Sequence, residues 1–209
     1  MNTTTHPAGY APGTALVVVD VQHDFAHPDG NLYIEGGDAV VGIVDAEVRA
    51  ALDAGATVVY TQDWHPASTP HFAKDGGDWP VHCVADTWGA ELHRELTVDG
   101  PVVRKGVDGG DGYSGFSVRD PVSGDVEATE LGNILEAADV RRVVVVGLAG
   151  DVCVHATALD AVRLGYEVEL PLAATAFVEA APGDGERAVE ELREAGVRVT
   201  SRGPAAADE

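Results

Sequence analysis

Uninterrupted apolar runs alternate along this chain with segments of helical periodicity. Residues 143–148 read VVVVGL and residues 15–19 read ALVVV, and neither run alternates with polar residues. Strands that are apolar on both faces are typical of parallel sheets with helices packed on each side. The alternation therefore predicts an α/β fold, a three-layer α/β/α sandwich around a mostly parallel six-stranded sheet.

The expected elements follow from periodicity and from Gly punctuation. The predicted strands are Ala15–Asp20, Thr57–Gln62, Pro101–Arg104, Arg142–Leu148, Glu167–Leu170 and Val197–Thr200. The predicted helices are Asp38–Ala54, Thr129–Ala138, Val154–Leu164 and Gly183–Ala195. We expect residues 15–202 to form one domain, with mobile ends at 1–14 and 203–209.

Composition excludes several classes of partner. The 209 residues include 35 acidic and 13 basic side chains, a formal net charge of −22. Such a chain repels nucleic-acid phosphates and anionic membranes, so we expect neither as a partner. Two cysteines do not make a disulfide framework, and no apolar stretch approaches the roughly 20 residues of a membrane span. A cytoplasmic monomer or modest homo-oligomer that acts on a small molecule is expected.

A cysteine opens the helix that follows the most apolar strand. Cys153 comes directly after the turn at residues 149–152. Unpaired N–H groups at a helix start favour the thiolate, and could also hold the oxyanion that forms when sulfur attacks a carbonyl. A small buried apolar role is the alternative for a lone cysteine.

Three more polar residues lie at or just after predicted strand ends: Asp20, Asp63 and Lys105. Ligands of open parallel sheets bind beyond the carboxyl ends of the strands, so we expect these residues and Cys153 on one rim. A partly desolvated Asp20 has a raised pKa and suits proton transfer. Lys105 could pair with Asp20 and stabilise a thiolate. A turn carboxylate and a solvated lysine are the competing interpretations.

The segment after the second predicted strand is rich in metal-binding side chains. It contains Asp63, His65, His71 and His82. One carboxylate with two or three imidazoles suits Zn²⁺, and also Fe²⁺ or Mn²⁺. The sequence therefore predicts one divalent metal site, against the competing interpretation of a solvated histidine-rich loop.

Two further features concern the ligand. Residues 110–115 match the dinucleotide pattern GxGxxG, but no strand leads into them and no helix follows, so we reject that function. Phe25, Trp79 and Tyr113 could wall a flat aromatic ligand.

Together these motifs carry a family resemblance that extends from about residue 15 to residue 178. Residues 17–25 (VVVDVQHDF) resemble the opening of the isochorismatase-like cysteine hydrolases. Residues 63–65, His71 and residues 79–83 (WPVHC) are similar to the nicotinamidase/pyrazinamidase pattern within them. Residues 105–106, 113–116 and 147–153 resemble the remaining blocks.

The resemblance implies a role for each matching residue. Asp20, Lys105 and Cys153 would be the catalytic triad, and Asp63, His65 and His82 would hold the metal, with His71 as an additional ligand. The amides of Ala149 and Cys153 would form the oxyanion hole, and the Leu148–Ala149 bond would be cis. The substrate-binding residues would be Phe25, Leu32, Trp79, Tyr113, Leu148 and Ala149.

The implied reaction is hydrolysis of nicotinamide to nicotinate and ammonia through a thioester, with pyrazinamide as a further substrate. A relative that acts on another small amide or carbamoyl compound is the main competing hypothesis. A metal-bound hydroxide could also replace the thiol as the nucleophile. A ligand-binding or scaffold protein without catalysis is a third alternative, and the intact candidates for acid, base and nucleophile argue against it.

Overall fold

The structure, a computed structural model, describes residues 9–201. Its strands are β1 (Thr14–Val19), β2 (Thr57–Asp63), β3 (Val102–Lys105), β4 (Ser117–Arg119), β5 (Val126–Ala128), β6 (Arg142–Leu148), β7 (Glu167–Pro171), β8 (Thr175–Ala176) and β9 (Arg198–Thr200). Its α-helices are α1 (His23–Ala26), α2 (Gly37–Asp53), α3 (Leu131–Ala137), α4 (Cys153–Arg163) and α5 (Asp184–Glu194). Short 3-10 helices lie at Ala73–Asp75, Trp88–Ala90 and Leu172–Ala174.

The main sheet is parallel and has the order β3-β2-β1-β6-β7-β9. These six strands are the six predicted ones, and the two-residue β8 adds a seventh by pairing with the end of β6. The predicted α/β architecture is therefore confirmed. A separate antiparallel hairpin joins β4 to β5.

Both faces of the sheet are buried, as the uninterrupted apolar runs require. In β1, Leu16 and Val18 pack into the cluster that contains α2, whereas Val17 and Val19 pack into the cluster that contains α3, α4 and α5. Strand β6 divides its side chains in the same way between the two clusters. The central strands are thus fixed from both sides, and their carboxyl ends form a rigid edge.

Besides the 3-10 helices, four short elements were not predicted: helix α1 and the strands β4, β5 and β8. Helix α1 has four residues, too few to show a helical period. All three residues of β5 are exposed, so it lacks the buried alternate positions that mark a strand. Local sequence carries little information about elements of this kind.

The two ends predicted as mobile lie partly outside the described residues. Residues 9–14 are described, and two of them attach to the domain: Tyr10 is buried and donates a hydrogen bond of 2.7 Å to Glu47 Oε2, and Thr14 begins β1. The rest of 1–14, and 203–209, lie beyond the described range. Within 9–201, no helix combines the length and hydrophobicity that crossing a membrane requires.

Candidate active site

Four adjacent strands bring four functional side chains to one edge of the sheet. Asp20 directly follows β1, Asp63 ends β2, and Lys105 ends β3 opposite Asp63 in the strand register. Cys153 is the first residue of α4, after the turn that leaves β6. The structure thus brings these residues together, although they are separated by up to 133 positions in sequence (from 20 to 153).

The ammonium group of Lys105 lies between the acidic side chains. It is 2.6 Å from Asp20 Oδ2 and donates hydrogen bonds to Asp63 Oδ1, at 2.5 Å, and to the Gly112 carbonyl. Its distance to Cys153 Sγ is 3.8 Å. Thr61 Oγ1 donates a hydrogen bond of 2.7 Å to the other oxygen of Asp20. Every group in this network is buried, so charge and proton positions are strongly coupled.

Burial and charge shift the pKa values of these groups. Burial raises the pKa of Asp20 to about 6, although the Lys105 ammonium opposes the rise. Burial also raises the pKa of Cys153 well above its ordinary value, against the effect of Lys105. Burial would lower the pKa of Lys105, but the carboxylates of Asp20 and Asp63 hold it well above the ordinary value. The resting site therefore holds a neutral thiol next to a base that titrates near neutrality.

The predicted metal-binding histidines meet beside this network. One ring nitrogen from each of His65, His71 and His82 lies within 4.8 Å of the others, and all three rings are buried. Asp63 Oδ2 is 3.8 Å from Nε2 of both His65 and His82. Asp63 thus faces Lys105 with one oxygen and the histidines with the other.

The hydrogen bonds of these rings fit a metal ion. Nδ1 of His71 bonds Asp111 Oδ1 at 2.7 Å, and Nδ1 of His82 bonds the Pro80 carbonyl at 2.7 Å. Both partners are acceptors, so each Nδ1 carries the proton and each Nε2 keeps a free lone pair. His65 is fully buried, and among residues 9–201 neither of its nitrogens has a hydrogen-bond partner. An orphaned imidazole next to two oriented ones is the donor set that Zn²⁺ or Fe²⁺ prefers.

The pKa values of the ligands agree with this arrangement. Burial lowers the pKa of His82 to about 4, so the ring is neutral at pH 7 and able to bind a metal. Burial would raise the pKa of Asp63, but Lys105 and the neighbouring histidines bring it well below the ordinary carboxyl value. The Asp63 carboxylate and the His82 imidazole are therefore already in the protonation states that a metal requires.

A cavity connects the thiol with the histidine cluster. It holds about 390 Å³, counting its open mouth. Its lining residues are Phe25, Leu32, Ile34, Asp63, His71, Trp79, Tyr113, Ala149, Val152 and Cys153. Trp79 Nε1 donates a hydrogen bond of 2.9 Å to the Tyr113 hydroxyl, so these two aromatic walls are joined. The lining is mostly apolar, and Asp63, His71 and Cys153 contribute its reactive groups.

One residue expected to bind substrate lies elsewhere. Leu148 is not among the lining residues, because as the last residue of β6 it points its side chain into the core cluster beside α2. The peptide bond between Leu148 and Ala149 is cis, as the resemblance implied, and Ala149 does line the cavity.

Several residues of the site were not found from the sequence. Ile34 and Val152 line the cavity, but ordinary apolar residues carry no functional signal. Asp111 was considered only within the rejected GxGxxG match, although it orients His71. Gln22 is fully buried, and its side-chain amide bonds both the carbonyl (2.7 Å) and the N–H (2.8 Å) of Asp63. The one sequence feature that could have pointed to Gln22 is its position two residues after Asp20.

The chain is similar to known proteins over most of its length. The isochorismatase domain family matches residues 14–203. The nicotinamidase/pyrazinamidase of Mycobacterium tuberculosis is 37% identical over 190 residues, which cover 88% of this chain and 97% of that protein.

Two solved structures are similar in fold. The pyrazinamidase of Pyrococcus horikoshii in complex with zinc is 38% identical, with a TM-score of 0.81 and coverage of 91% of this chain and 100% of that one. A protein of L. infantum in complex with nicotinate is 35% identical, with a TM-score of 0.81 and coverage of 90% and 92%. With the family match spanning nearly the whole described chain, and with a buried Asp–Lys–Cys network at the strand ends, this protein belongs to the isochorismatase family of hydrolases.

Proposed function

We propose that this protein is a nicotinamidase, which hydrolyses nicotinamide to nicotinate and ammonia with Cys153 as the nucleophile. One observation carries the proposal: Cys153, Asp63 and His71 line the same cavity, so a ligand there can touch both the thiol and the metal-binding cluster. The relatives named nicotinamidase and pyrazinamidase support the substrate class.

The first half of the reaction forms a thioester. Asp20 takes the proton of the Cys153 thiol, and the sulfur attacks the carboxamide carbon. The amides of Ala149 and Cys153 hold the resulting oxyanion. Asp20 then gives its proton to the amide nitrogen, the C–N bond breaks, and ammonia leaves. Proton return is needed because an unprotonated amine is a poor leaving group.

The second half regenerates the enzyme. Asp20 takes a proton from water, and the hydroxide adds to the thioester carbon. Collapse of this intermediate breaks the C–S bond and releases nicotinic acid, which loses its proton to solvent and becomes nicotinate, while Asp20 returns the proton to sulfur. Throughout, the Lys105 ammonium stabilises the negative charge that moves between Asp20 and Cys153, to which it lies at 2.6 and 3.8 Å.

Asp63, His65, His71 and His82 would hold one divalent ion, with zinc favoured over iron or manganese by the imidazole-rich set. When bound, the ion supplies a Lewis acid that orients the pyridine nitrogen of the substrate. Phe25, Trp79 and Tyr113 enclose the ring. Pyrazinamide has the same ring size and carboxamide, so we expect it to be a second substrate.

The test uses the two cysteines of the chain. We expect Cys153→Ala to abolish ammonia release from nicotinamide while metal content stays unchanged. Cys83→Ala is the matched control, because Cys83 is also buried but lies outside the cavity lining, and we expect it to remain active. Substantial turnover by Cys153→Ala would instead indicate a hydroxide nucleophile. A carbamoyl substrate preferred over nicotinamide would contradict the substrate assignment.

The cytoplasmic location of the protein and its state as a monomer or modest homo-oligomer stay predictions.

A further inference from the structure

The Lys105 ammonium lies in a cage whose composition is that of a metal site. Asp20, Asp63 and Cys153 each offer a ligand atom, these atoms lie within 4.8 Å of one another, and all three residues are buried. Carboxylate oxygen and thiolate sulfur are ligands of Zn²⁺ and of related soft divalent ions. The proposed reaction requires proton transfer between Asp20 and Cys153, but it does not require these three side chains to be able to bind a metal.

The ammonium fills the cage completely. A protonated lysine has three N–H donors. They donate to Asp63 Oδ1 at 2.5 Å, to the Gly112 carbonyl and to Cys153 Sγ at 3.8 Å. Asp20 Oδ2 lies 2.6 Å from the same ammonium and forms an ion pair with it. The ammonium therefore contacts all three side chains of the cage.

One carboxylate separates two cation positions. Asp63 Oδ1 bonds the ammonium, and Asp63 Oδ2 faces His65 and His82 at 3.8 Å. Without Lys105, two buried carboxylates would face a thiol with no positive charge between them. Buried charge of this kind is neutralised by protonation or by a captured cation.

We propose that Lys105 is a built-in cation that excludes divalent metal from the Asp20–Asp63–Cys153 cage. The inference rests on the proposed metal site, because it explains why the ion stays with His65, His71 and His82. A metal in the cage would bind the Cys153 sulfur and displace the thiol proton. The sulfur lone pair that attacks the substrate would then be coordinated to the metal. A tethered ammonium prevents this at any metal concentration, since it is part of β3.

The experiment replaces the ammonium by a neutral side chain of similar length and uses Cd²⁺ as the probe. We expect the parent protein to bind one equivalent of Cd²⁺. Lys105→Met should bind two, and the second should bring an ultraviolet cadmium–thiolate absorption and release of one proton. Lys74→Met is the matched control, because Lys74 is the other lysine of the chain, and its half-exposed side chain pairs with Asp75 outside the cage. This variant should bind one equivalent, like the parent.

Two further measurements make the result decisive. Adding Cys153→Ala to Lys105→Met should remove the thiolate absorption. A folded Lys105→Met that binds one equivalent without that absorption would overturn the proposal. If Lys105→Met does not fold, excess Cd²⁺ is titrated into the parent protein and into Cys153→Ala. Absorption by the parent that Cys153→Ala lacks would equally overturn the proposal, and its absence supports it. Stoichiometry is independent of substrate, so failure of the nicotinamidase assignment would be recognised separately.

Discussion

Asp20 is a fully buried carboxyl group that has to be ionised to act as a base. Burial raises its pKa to about 6, and the hydrogen bond from Thr61 opposes that rise. We expect kcat/KM for nicotinamide to fall as the pH decreases through about 6, because protonated Asp20 cannot accept the thiol proton. Thr61→Val should move this limb upward by about 1–2 pH units, since a hydrogen bond to a charged group contributes about 1.5–3 kcal/mol.

The control for this prediction is Thr61→Ser, which keeps the hydroxyl and should leave the limb near pH 6. Measurement of kcat/KM between acidic and neutral pH for the three proteins checks it. A limb that stays in place or moves down in Thr61→Val would mean that another group titrates.

Gln22 holds Asp63, the carboxylate that we propose binds the metal. Its side chain pairs with both backbone groups of Asp63 and also donates to the Ala90 carbonyl at 2.8 Å. The Gln62 side chain donates to the same Ala90 carbonyl at 2.9 Å, but it makes no hydrogen bond to Asp63. We therefore expect Gln22→Leu to weaken zinc binding by about 10–100-fold, the usual effect of losing a group that orients a metal ligand.

The matched variant Gln62→Leu should change the zinc affinity much less, because Gln22 still satisfies the Ala90 carbonyl. Competition with a chelator gives both dissociation constants. Equal losses in the two variants would show that the glutamines act only through general packing.

At the scale of elements, the turn after β3 holds His65 in place. Gly106 has φ +76°, and a Cβ on it would lie 2.5 Å from Cε1 of the His65 ring. We expect Gly106→Ala to displace this ring and to lower zinc affinity, with loss of activity. Gly55 is a matched position, because it has φ +70° but nothing within 4 Å of the added Cβ.

Gly55→Ala should therefore show the backbone cost alone, about 1 kcal/mol of unfolding free energy, with zinc affinity unchanged. Urea unfolding and zinc titration separate the two effects. Unchanged zinc affinity in Gly106→Ala would mean that His65 can move without loss.

The elements also show what local sequence can and cannot give. The uninterrupted apolar run at residues 143–148 predicted a strand at Arg142–Leu148, and β6 has these same bounds. The prediction was possible because burial on both faces excludes polar residues from a strand. The shared rim of Asp20, Asp63, Lys105 and Cys153 followed from parallel topology alone. The double hydrogen bond of Gln22 could not be predicted, because it depends on which strand neighbours β1 and in which register.

At the scale of the whole molecule, the segment before β1 is attached to α2 through a buried hydrogen bond. Tyr10 donates to Glu47, and burial raises the pKa of Glu47 while this bond opposes the rise. We expect Tyr10→Phe to cost about 1–3 kcal/mol of unfolding free energy at pH 8, because an ionised Glu47 then stays buried without its donor. The loss should be smaller at pH 5, since protonation of Glu47 removes the buried charge.

The control is Tyr33→Phe, which removes a hydrogen bond of the same length to Asp38 on the exposed surface and should change stability little at either pH. Urea unfolding at the two pH values checks the prediction. If the loss of unfolding free energy in Tyr10→Phe were larger at pH 5 than at pH 8, the effect could not come from a buried, ionised Glu47.

The position of Lys105 has a consequence for how the enzyme loses function. It ends β3, a four-residue strand that is outermost in the main sheet and pairs only with β2 among the strands of residues 9–201. Outer strands fray at a lower free energy than the centre of a sheet. Heat or denaturant should therefore detach the ammonium from its carboxylates while the interior strands remain assembled, and inactivation becomes an event distinct from global denaturation.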